Sequence, residues 1–520
     1  MAERSRKGIL IMVVAWIVLI AALALGYRFI VKPMMKGRLV KSTSSQSQYH
    51  TELEWLGDGF SGYAILRSQS FENALAKQGI RWAYKPVLDY QKRVEMLAAG
   101  KVPFAVFPIG SYIKAGVKAG NLYPASQIVG IDETVGADAI VAFKSAVPNI
   151  DALNCAEGRI VLPPSSPSET IAQVMVAQWA LDMMPTDWAI HRDDAEAVYR
   201  EMMSANRALP RAYVLWEPYV SLARKDPDVI VLLDSSQCKG CILDGLYAER
   251  SFLGENPDLV KTIVEAYLKA LYYYSQQDRM VELIVADAKA QGESVSRQQA
   301  EQIAAGIRWT NCKENYAYFN IEQNPGIRPL EDVISFLIEK VLLPTNALAH
   351  HPLPGKEHTL YYDGILRALH GEGFHPAKRV NLIDGAGPSA NDLAGVRGTT
   401  VLPALTEAQW QALVPSGSKR IAPIEFRRGS ADISAFSETD IETAAEELKV
   451  LSDFYIKVKG HTLGDGDSDA NKLLAKRRAD AVVTYLKNYG IPANRLRAET
   501  AKKSKTDQAC VVLELAQAPY

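Results

Sequence analysis

The residues with the clearest chemical potential lie near the C-terminus, where a guanidinium interrupts an apolar helix face. Apolar side chains recur every four residues along 474–486, and Arg478 occupies one place in that row. A charge beside buried side chains needs a hydrogen-bonded partner or a route to water. Arg478 therefore either extends along the face to solvent or binds a partner group. The pattern alone leaves both interpretations open.

A second set of polar residues lies in turns between predicted strands and helices. Residues 53–56, 104–107 and 159–162 are short apolar runs, and each leads into a Gly-, Ser- or Pro-rich turn followed by a helical pattern. Ligands gather at such turns in open α/β sheets, where free amides and the helix dipole favour anions. The candidate ligand residues are Ser61, Gly62, Tyr63, Gly110, Ser111, Ser165, Ser166, Ser168, Trp216 and Glu217.

Each of these residues also has a purely structural interpretation. Ser165 and Ser168 stand where a helix begins, so they could act only as helix caps. Trp216 could pack in a core and not stack on a ligand. Glu217 would repel an anion, which leaves a cationic or zwitterionic ligand open beside the anionic one.

Length and composition restrict the class of protein. A chain of 520 residues exceeds what one hydrophobic core usually organises, so we expect two or more domains. The net charge of −1 and the lack of basic runs with interleaved aromatics argue against a nucleic-acid partner. The sequence holds no G-x-S-x-G, H-E-x-x-H or Walker motif, so we predict no enzyme and no cofactor. His350, His351 and His358 fall in a Pro-rich segment that we interpret as a solvated loop and not a metal site.

The N-terminus carries an uncharged apolar run. Residues 8–27 would span about 30 Å as a helix, the thickness of a bilayer's hydrocarbon core. We predict a cytoplasmic tail over 1–7, a transmembrane signal anchor over 8–30 and a polar tether over 31–50. Cleavage by signal peptidase is the alternative to retention.

Only one pair among the five cysteines is closely spaced, Cys238 and Cys241. In an exported protein this pair could close a small disulfide. Free thiols and redox or metal chemistry are the other interpretations.

The segment 51–346 resembles the periplasmic solute-binding proteins of ABC transporters, in particular the nitrate, sulfonate and taurine branch. The resemblance is carried by residues 98–106 (AAGKVPFAV), 136–142 (GADAIVA), 216–219 (WEPY) and 249–274, in that order. It implies two α/β lobes joined by crossover strands that close on a small solute by hinge motion. It also implies an ABC permease in the membrane as a partner.

The segment 418–520 resembles the OmpA-like peptidoglycan-associated domain, and 347–417 would be a trailing segment and linker. A strand runs into Gly460-His461-Thr462, then a Gly/Asp loop and a long helix. In that family the Arg at the place of Arg478 and an Asp grip the diaminopimelate of the stem peptide. The family's Asn falls on Asn471, which the resemblance also makes a candidate peptidoglycan-binding residue. Leu463 stands at the family's Asp, and Asp465 is the nearest substitute.

The sequence thus predicts an α/β protein with a two-lobed periplasmic-binding-protein-like domain, an α+β OmpA-like domain and one N-terminal transmembrane helix. We expect a single-pass inner-membrane protein with most of its chain in the periplasm, acting as a solute-binding receptor or sensor associated with the cell wall. The alternative is a structural envelope scaffold with a vestigial cleft. An enzyme similar to thiamine-pyrimidine synthases is a weaker third interpretation, because the Cys- and His-rich active loop is missing.

Overall fold

The computed structural model describes residues 49–164, 166–216, 219–324, 326–379, 402–427, 429–461, 469–501 and 511–518. The predicted membrane anchor over 8–30 lies outside these residues. Among the residues that are described, no helix has the length and hydropathy needed to cross a bilayer.

Fifteen strands occur in the described ranges. They are β1 (Thr51–Gly57), β2 (Ile80–Pro86), β3 (Phe104–Pro108), β4 (Ala125–Thr134), β5 (Asp138–Phe143), β6 (Arg159–Leu162), β7 (Ala189–His191), β8 (Arg211–Trp216), β9 (Val229–Asp234), β10 (Leu243–Glu249), β11 (Ile307–Trp309), β12 (Val414–Ser418), β13 (Tyr455–Gly460), β14 (Leu496–Thr500) and β15 (Val511–Gln517).

The α-helices follow these strands and cover the sheets. They are α1 (Gln69–Ala76), α2 (Tyr90–Ala98), α3 (Ile109–Lys118), α4 (Pro167–Gln178), α5 (Ala195–Ser204), α6 (Tyr219–Ala223), α7 (Arg250–Glu255), α8 (Pro257–Tyr274), α9 (Gln277–Ala290), α10 (Arg297–Ala305), α11 (Cys312–Tyr318), α12 (Leu330–Ser335), α13 (Gly364–Gly371), α14 (Glu407–Ala412), α15 (Ala435–Val450) and α16 (Asp469–Asn488). A 3₁₀ helix spans Ser61–Arg67, and α12 continues as a π-helical turn over Phe336–Leu342.

The first part of the chain forms two lobes, each around one sheet. Lobe 1 holds the order β11-β4-β10-β3-β1-β2, and lobe 2 holds β7-β6-β8-β5-β9. The chain passes from β4 to β5 and returns from β9 to β10, so two crossovers join the lobes. The predicted alternation of strands and helices is confirmed as a mixed α/β fold.

The sequence explains why the central strands lie inside. Every residue of β3, β4 and β5 is buried, as expected for strands whose two sheet faces are both covered by helices. A charged residue on such a strand has no route to water, so each carboxylate on β4 and β10 needs a partner within the protein or a ligand.

The C-terminal domain is a four-stranded sheet with the order β12-β15-β13-β14, covered by α15 and α16. It begins with the edge strand Val414–Ser418. Gly460, the last residue of β13, packs directly against α16. A Cβ at this position would lie 2.0 Å from the carbonyl oxygen of Ala475, which is too close for any side chain. A larger residue at this position would push the helix off the sheet.

The C-terminal domain docks on lobe 2. The amide of Ala180 donates to the carbonyl oxygen of Ser418 at 3.0 Å, and the rings of Trp179 and Phe454 meet at 5.8 Å between centroids. Asp151 accepts from the amide of Ser418 at 2.8 Å. The apolar cores of lobe 2 and the C-terminal domain are therefore continuous.

Candidate functional site

The crossover strands bring two carboxylates together between the lobes. Asp132 on β4 is the direct antiparallel partner of Asp244 on β10. Residues paired in this way share one face of the sheet, with Cβ atoms about 5 Å apart. Asp132 is 0% exposed and Asp244 is 1% exposed. Sheet register thus places two buried acidic side chains side by side.

Two more carboxylates approach from either side. Asp58, in the turn after β1, forms an ion pair with Arg93 at 2.7 Å. Asp138 begins β5 on lobe 2 and accepts a hydrogen bond from Ser168 of α4. We call Asp58, Asp132, Asp138 and Asp244 the acidic cluster; it draws on both lobes.

Burial dominates the electrostatics of this cluster. It raises the pKa of Asp132 well above its ordinary value, and the nearby charges of Asp244, Glu133 and Asp58 raise it further. Burial likewise raises the pKa of Asp244, an effect that Asp58 and Asp138 reinforce and that the hydrogen bond from Tyr63 opposes. The pKa of Asp138 rises to about 6 through burial, although Ser168 lowers it by donating a hydrogen bond.

Several polar atoms of the site have no protein partner. Both carboxylate oxygens of Asp132, Oδ1 of Asp244 and the hydroxyl of Ser111 are buried without a hydrogen bond to any described residue. By contrast, the Arg93 guanidinium donates to the carbonyl oxygens of Val87 at 2.6 Å and Val106 at 2.7 Å in addition to Asp58. The unpaired oxygens of Asp132, Asp244 and Ser111 destabilise the protein unless a bound molecule satisfies them.

The 3₁₀ helix after β1 carries three of the predicted ligand residues. Tyr63 is buried and donates to Asp244, and Ser61 is half-buried. A Cβ on Gly62 would lie 2.3 Å from Oδ2 of Asp132, so only glycine allows this close approach. Gly62 and Tyr63 thus contact the acidic cluster directly.

The turn before this helix, residues 57–62 (GDGFSG), has the G-x-G-x-x-G spacing found in dinucleotide-binding folds. Its geometry does not suit a pyrophosphate. Arg67 binds the carbonyl oxygens of Asp58 and Phe60 at 2.9 and 2.8 Å, and the Asp132 carboxylate lies against Gly62. A negative group fills the place that a phosphate would need.

The predicted residues on α3 and α4 meet across the lobes. Gly110 and Ser111 lie in the first turn of α3, whose N-cap residue Pro108 is the strand partner of Asp244. A Cβ on Gly110 would lie 3.3 Å from the hydroxyl of Thr170 on α4. Lys114 of α3 also pairs with Glu169 of α4 at 2.6 Å. The lobes are therefore in contact at this edge of the cleft.

The remaining predicted residues have different roles. Ser166 caps α4 by accepting from the amide of Glu169 at 3.1 Å, whereas Ser168 points to Asp138. Trp216 is half-buried and is the strand partner of Asp138. Ser165 and Glu217 lie outside the described residues.

Sequence reasoning missed the acidic cluster itself. A signal was present, because Asp132 directly follows the apolar run 128–131 and Asp244 interrupts the apolar run 242–248, both of which are typical of buried strands. Asp138 lies within the GADAIVA segment. What the sequence does not contain is the pairing of β10 with β4, which brings the carboxylates together.

The second crossover contains the cysteine pair. Cys238 and Cys241 are joined by a disulfide, with Cα atoms 5.6 Å apart. The amide of the intervening Lys239 donates to the carbonyl oxygen of Val450 at 3.3 Å, so this crossover contacts the C-terminal domain.

A cavity of about 800 Å³ lies between lobe 1 and the C-terminal domain, away from the acidic cluster. Charged groups that line it find partners within the protein, as Glu133 does with Arg308 and Glu447 with Lys419. We therefore place the functional site at the acidic cluster, where the acceptors are unpaired.

The C-terminal domain buries the predicted wall-binding arginine. Arg478 is 8% exposed, donates from Nε to the carbonyl oxygen of Ser430 at 3.1 Å and stacks over the ring of Phe426 at 4.9 Å. Asn471 lies on the first turn of α16 and is half-buried. Asp465 and Leu463 lie outside the described residues.

Comparison with known proteins identifies the C-terminal domain. Residues 425–511 match the model of the OmpA family. The chain is 31% identical over 87 residues to a peptidoglycan-associated lipoprotein of Rhizobium meliloti (strain 1021), a match that covers 17% of this chain and 49% of that protein. The chain thus spans about half the length of this curated relative.

Three solved structures are similar to the N-terminal part. The periplasmic aliphatic sulphonate binding protein of Escherichia coli is 16% identical with a TM-score of 0.40, covering 51% of this chain and 88% of its own. A periplasmic sulfonate-binding protein of Methylobacillus flagellatus KT is 13% identical with a TM-score of 0.46, covering 63% and 96%. The periplasmic nitrate-binding protein of Synechocystis PCC 6803 is 15% identical with a TM-score of 0.37, covering 48% and 69%. All three TM-scores lie below 0.5, so we describe the fold from the strand order and the two crossovers of this chain and not from these structures.

Proposed function

We propose that this chain, which ends in an OmpA domain, is a membrane-anchored extracytoplasmic receptor that binds a small solute between its two lobes. The observation that carries the proposal is the set of buried, unpartnered acceptors on Asp132 and Asp244, placed where the two crossovers join the lobes. Such groups destabilise a ligand-free protein, so their presence in the hinge is expected for a binding site and not for a packing core.

The predicted ligand residues have defined roles under this proposal. Gly62 lets the Asp132 carboxylate lie against the 3₁₀ helix, and Tyr63 orients Asp244 by its hydrogen bond. Ser111 offers a buried hydroxyl without a partner among the described residues. Gly110, Ser168 and Trp216 line the meeting of the lobes, and Ser61, Ser165, Ser166 and Glu217 complete the predicted set.

Lobe closure would be the mechanism. Two short crossovers permit rotation of one lobe against the other, and contacts such as Lys114 with Glu169 form only when the lobes meet. The disulfide stiffens the second crossover, which also contacts the C-terminal domain at Val450. A solute that favours the closed state would thus be sensed at the hinge.

The C-terminal domain would attach the receptor to the cell wall. Asn471, Arg478 and Asp465 are the proposed contacts with peptidoglycan, and the segment 8–30 would anchor the chain in the inner membrane. An ABC permease is the proposed partner for solute transfer. The predicted domain limits are 51–346 and 418–520, with 347–417 between them. We propose moving the second limit to 414, because β12 (Val414–Ser418) belongs to the C-terminal sheet.

A structural envelope scaffold is the second candidate function. The docking of the C-terminal domain on lobe 2, through Trp179, Phe454 and Ser418, favours it, because that contact needs no solute. The two functions differ in whether the cleft binds a ligand.

Thermal unfolding of the full chain in detergent distinguishes them. A receptor should show a higher melting temperature with one class of compound from a panel of anions, sulfonates, amino acids and amines. A flat response across the whole panel would favour the scaffold.

Sedimentation with insoluble peptidoglycan tests the wall-binding end. Arg478→Ala should lower the fraction that sediments, while the neighbouring exposed Arg477→Ala should leave it at the wild-type level. Equal sedimentation of wild type and Arg478→Ala would remove Arg478 from the proposed wall contacts.

A further inference from the structure

The acidic cluster holds more acidic side chains than cations to pair with them. This imbalance indicates a class of solute for the proposed receptor, and the inference rests on that proposed function. Asp58 is paired with Arg93, and Asp138 accepts from Ser168. Asp132 and Asp244 form no ion pair within the described part of the chain, although both are at most 1% exposed. Asp132 therefore lacks any partner among the described residues, and Asp244 has only the hydroxyl of Tyr63 and the nearby charge of Arg93.

Three cations on the described elements around the cluster are already paired with other groups. Arg67 forms two hydrogen bonds with Asp287, at 2.8 and 2.7 Å. Lys114 pairs with Glu169 at the edge of the cleft. Arg93 already satisfies one carboxylate and two carbonyl groups. None of these three cations is left over for Asp132.

The acidic neighbour in sequence does not share the site. Glu133 follows Asp132 along β4, so its side chain points to the opposite face of the sheet. There it forms an ion pair with Arg308 and accepts from the amide of Gly240 at 2.5 Å. The same strand thus holds one carboxylate that the protein neutralises and one that it does not.

A buried carboxylate without a partner destabilises the protein, and a ligand can reverse this effect by supplying the missing charge and donors. We infer that the interlobe cleft binds an organic cation, an amine or guanidinium compound, whose charged end pairs with Asp132 and Asp244. This differs from the anionic solute expected from the strand-to-helix turns, because the Asp132 carboxylate lies against Gly62 in one turn and Ser168 in another donates to Asp138.

The surroundings of the cluster suit such a ligand. The ring of Tyr63 lies edge-on to Phe60, at 5.3 Å between centroids, and Tyr63 contacts Asp244 through its hydroxyl. Aromatic faces beside carboxylates attract ammonium and guanidinium groups. The Ser111 hydroxyl offers a further acceptor for an N–H donor.

An organic cation fits better than a bare metal ion. In the described ranges, no group of three or more His, Cys, Asp or Glu side chains is arranged to hold a metal. Two carboxylates with hydroxyl groups instead match the several donors of a guanidinium or ammonium group.

Isothermal titration of the full chain tests the inference, with agmatine and spermidine as cationic probes. Ethanesulfonate and nitrate serve as anionic probes, and magnesium and calcium chloride as metal probes. We expect binding of an amine, and about 10- to 100-fold weaker binding for Asp244→Asn and for Asp132→Asn, because each loses one charge-assisted contact. Asp187→Asn, whose carboxylate is 82% exposed on lobe 2, is the matched control and should bind as wild type.

The outcomes separate this inference from the receptor proposal. Binding of an anion or of a metal ion alone would overturn the cationic solute and leave the receptor standing. No binding of any probe, together with a flat thermal panel, would remove the receptor function itself. A weakened variant counts only if its melting temperature is at least that of wild type, so that a folding defect is not scored as lost recognition.

Discussion

The interlobe cleft and the C-terminal domain both bury charged side chains, but they treat them in opposite ways. In the C-terminal domain, Arg495 donates to the carbonyl oxygens of Phe454, Leu448 and Leu451, and the buried Lys419 pairs with Glu447 at 2.7 Å. In the cleft, Asp132 has no hydrogen-bond partner among the described residues.

This difference distinguishes charges that hold a fold from charges that await a ligand. A satisfied buried arginine ties backbone segments together and contributes to stability. An unsatisfied buried carboxylate lowers stability and persists where function requires it. The same physical test, whether each donor or acceptor has a partner, thus separates structural from functional candidates in one chain.

Removing a satisfied cation should give the largest loss of stability. Arg93→Ala removes the ion pair of Asp58 and the guanidinium donor to two carbonyl oxygens, so we expect a loss of about 3–5 kcal/mol in the free energy of unfolding of the N-terminal lobes. Urea denaturation measures it. Arg81→Ala, at a side chain 52% exposed, should change stability by less than about 0.5 kcal/mol, and equal effects would contradict the comparison.

The pH dependence of stability should reveal Asp138. Its pKa is about 6 in the folded protein and 3.8 ordinarily, so the folded state binds the proton more tightly. The contribution of Asp138 to the free energy of unfolding is fully present below pH 3.8 and is lost as pH rises through about 6. The total loss is about 3 kcal/mol. Asp138→Asn lacks this loss. Relative to wild type it should gain stability from pH 4 to pH 7 in urea denaturation, and a constant difference would contradict the assignment.

Neutralising an unpartnered carboxylate should stabilise the ligand-free protein. Asp132→Asn keeps the shape of the side chain and removes its charge, so we expect a gain of about 1–3 kcal/mol at pH 7, seen as a higher melting temperature. The gain should accompany weaker ligand binding. A loss of stability would show that Asp132 has a structural partner, and Asp187→Asn should be neutral.

The smallest effect should come from the contact that joins the lobes. Lys114→Ala removes a partly buried ion pair with Glu169, worth about 0.5–1 kcal/mol. It should favour the open arrangement and raise the radius of gyration of the ligand-free chain in X-ray scattering. Lys85→Ala breaks an exposed pair with Glu54 and should leave the radius unchanged.

Much of the fold could be predicted from local patterns. The strand, turn and helix order of 53–168 and the helix around Arg478 follow from periodicity and turn residues, which are local in sequence. The predicted contacts at Gly62, Tyr63 and Ser168 lie beside the acidic cluster because such turns converge at one edge of a sheet.

The cluster and the docked C-terminal domain could not be predicted in this way. Asp132 and Asp244 are far apart in sequence and meet only because β10 inserts between β3 and β4. The contact of Trp179 with Phe454 likewise depends on how two separate cores fit together. Such non-local pairings leave no periodic signal, although a charged residue within an apolar strand marks where to look.

A crystal structure of the full chain with a bound amine, agmatine being the first choice, tests the central claim most directly. We expect density between the lobes, with a ligand nitrogen within hydrogen-bond distance, about 3 Å, of the carboxylates of both Asp132 and Asp244. Density only on the outer surface, or a cleft in which Asp132 pairs with a side chain of the protein itself, would contradict it.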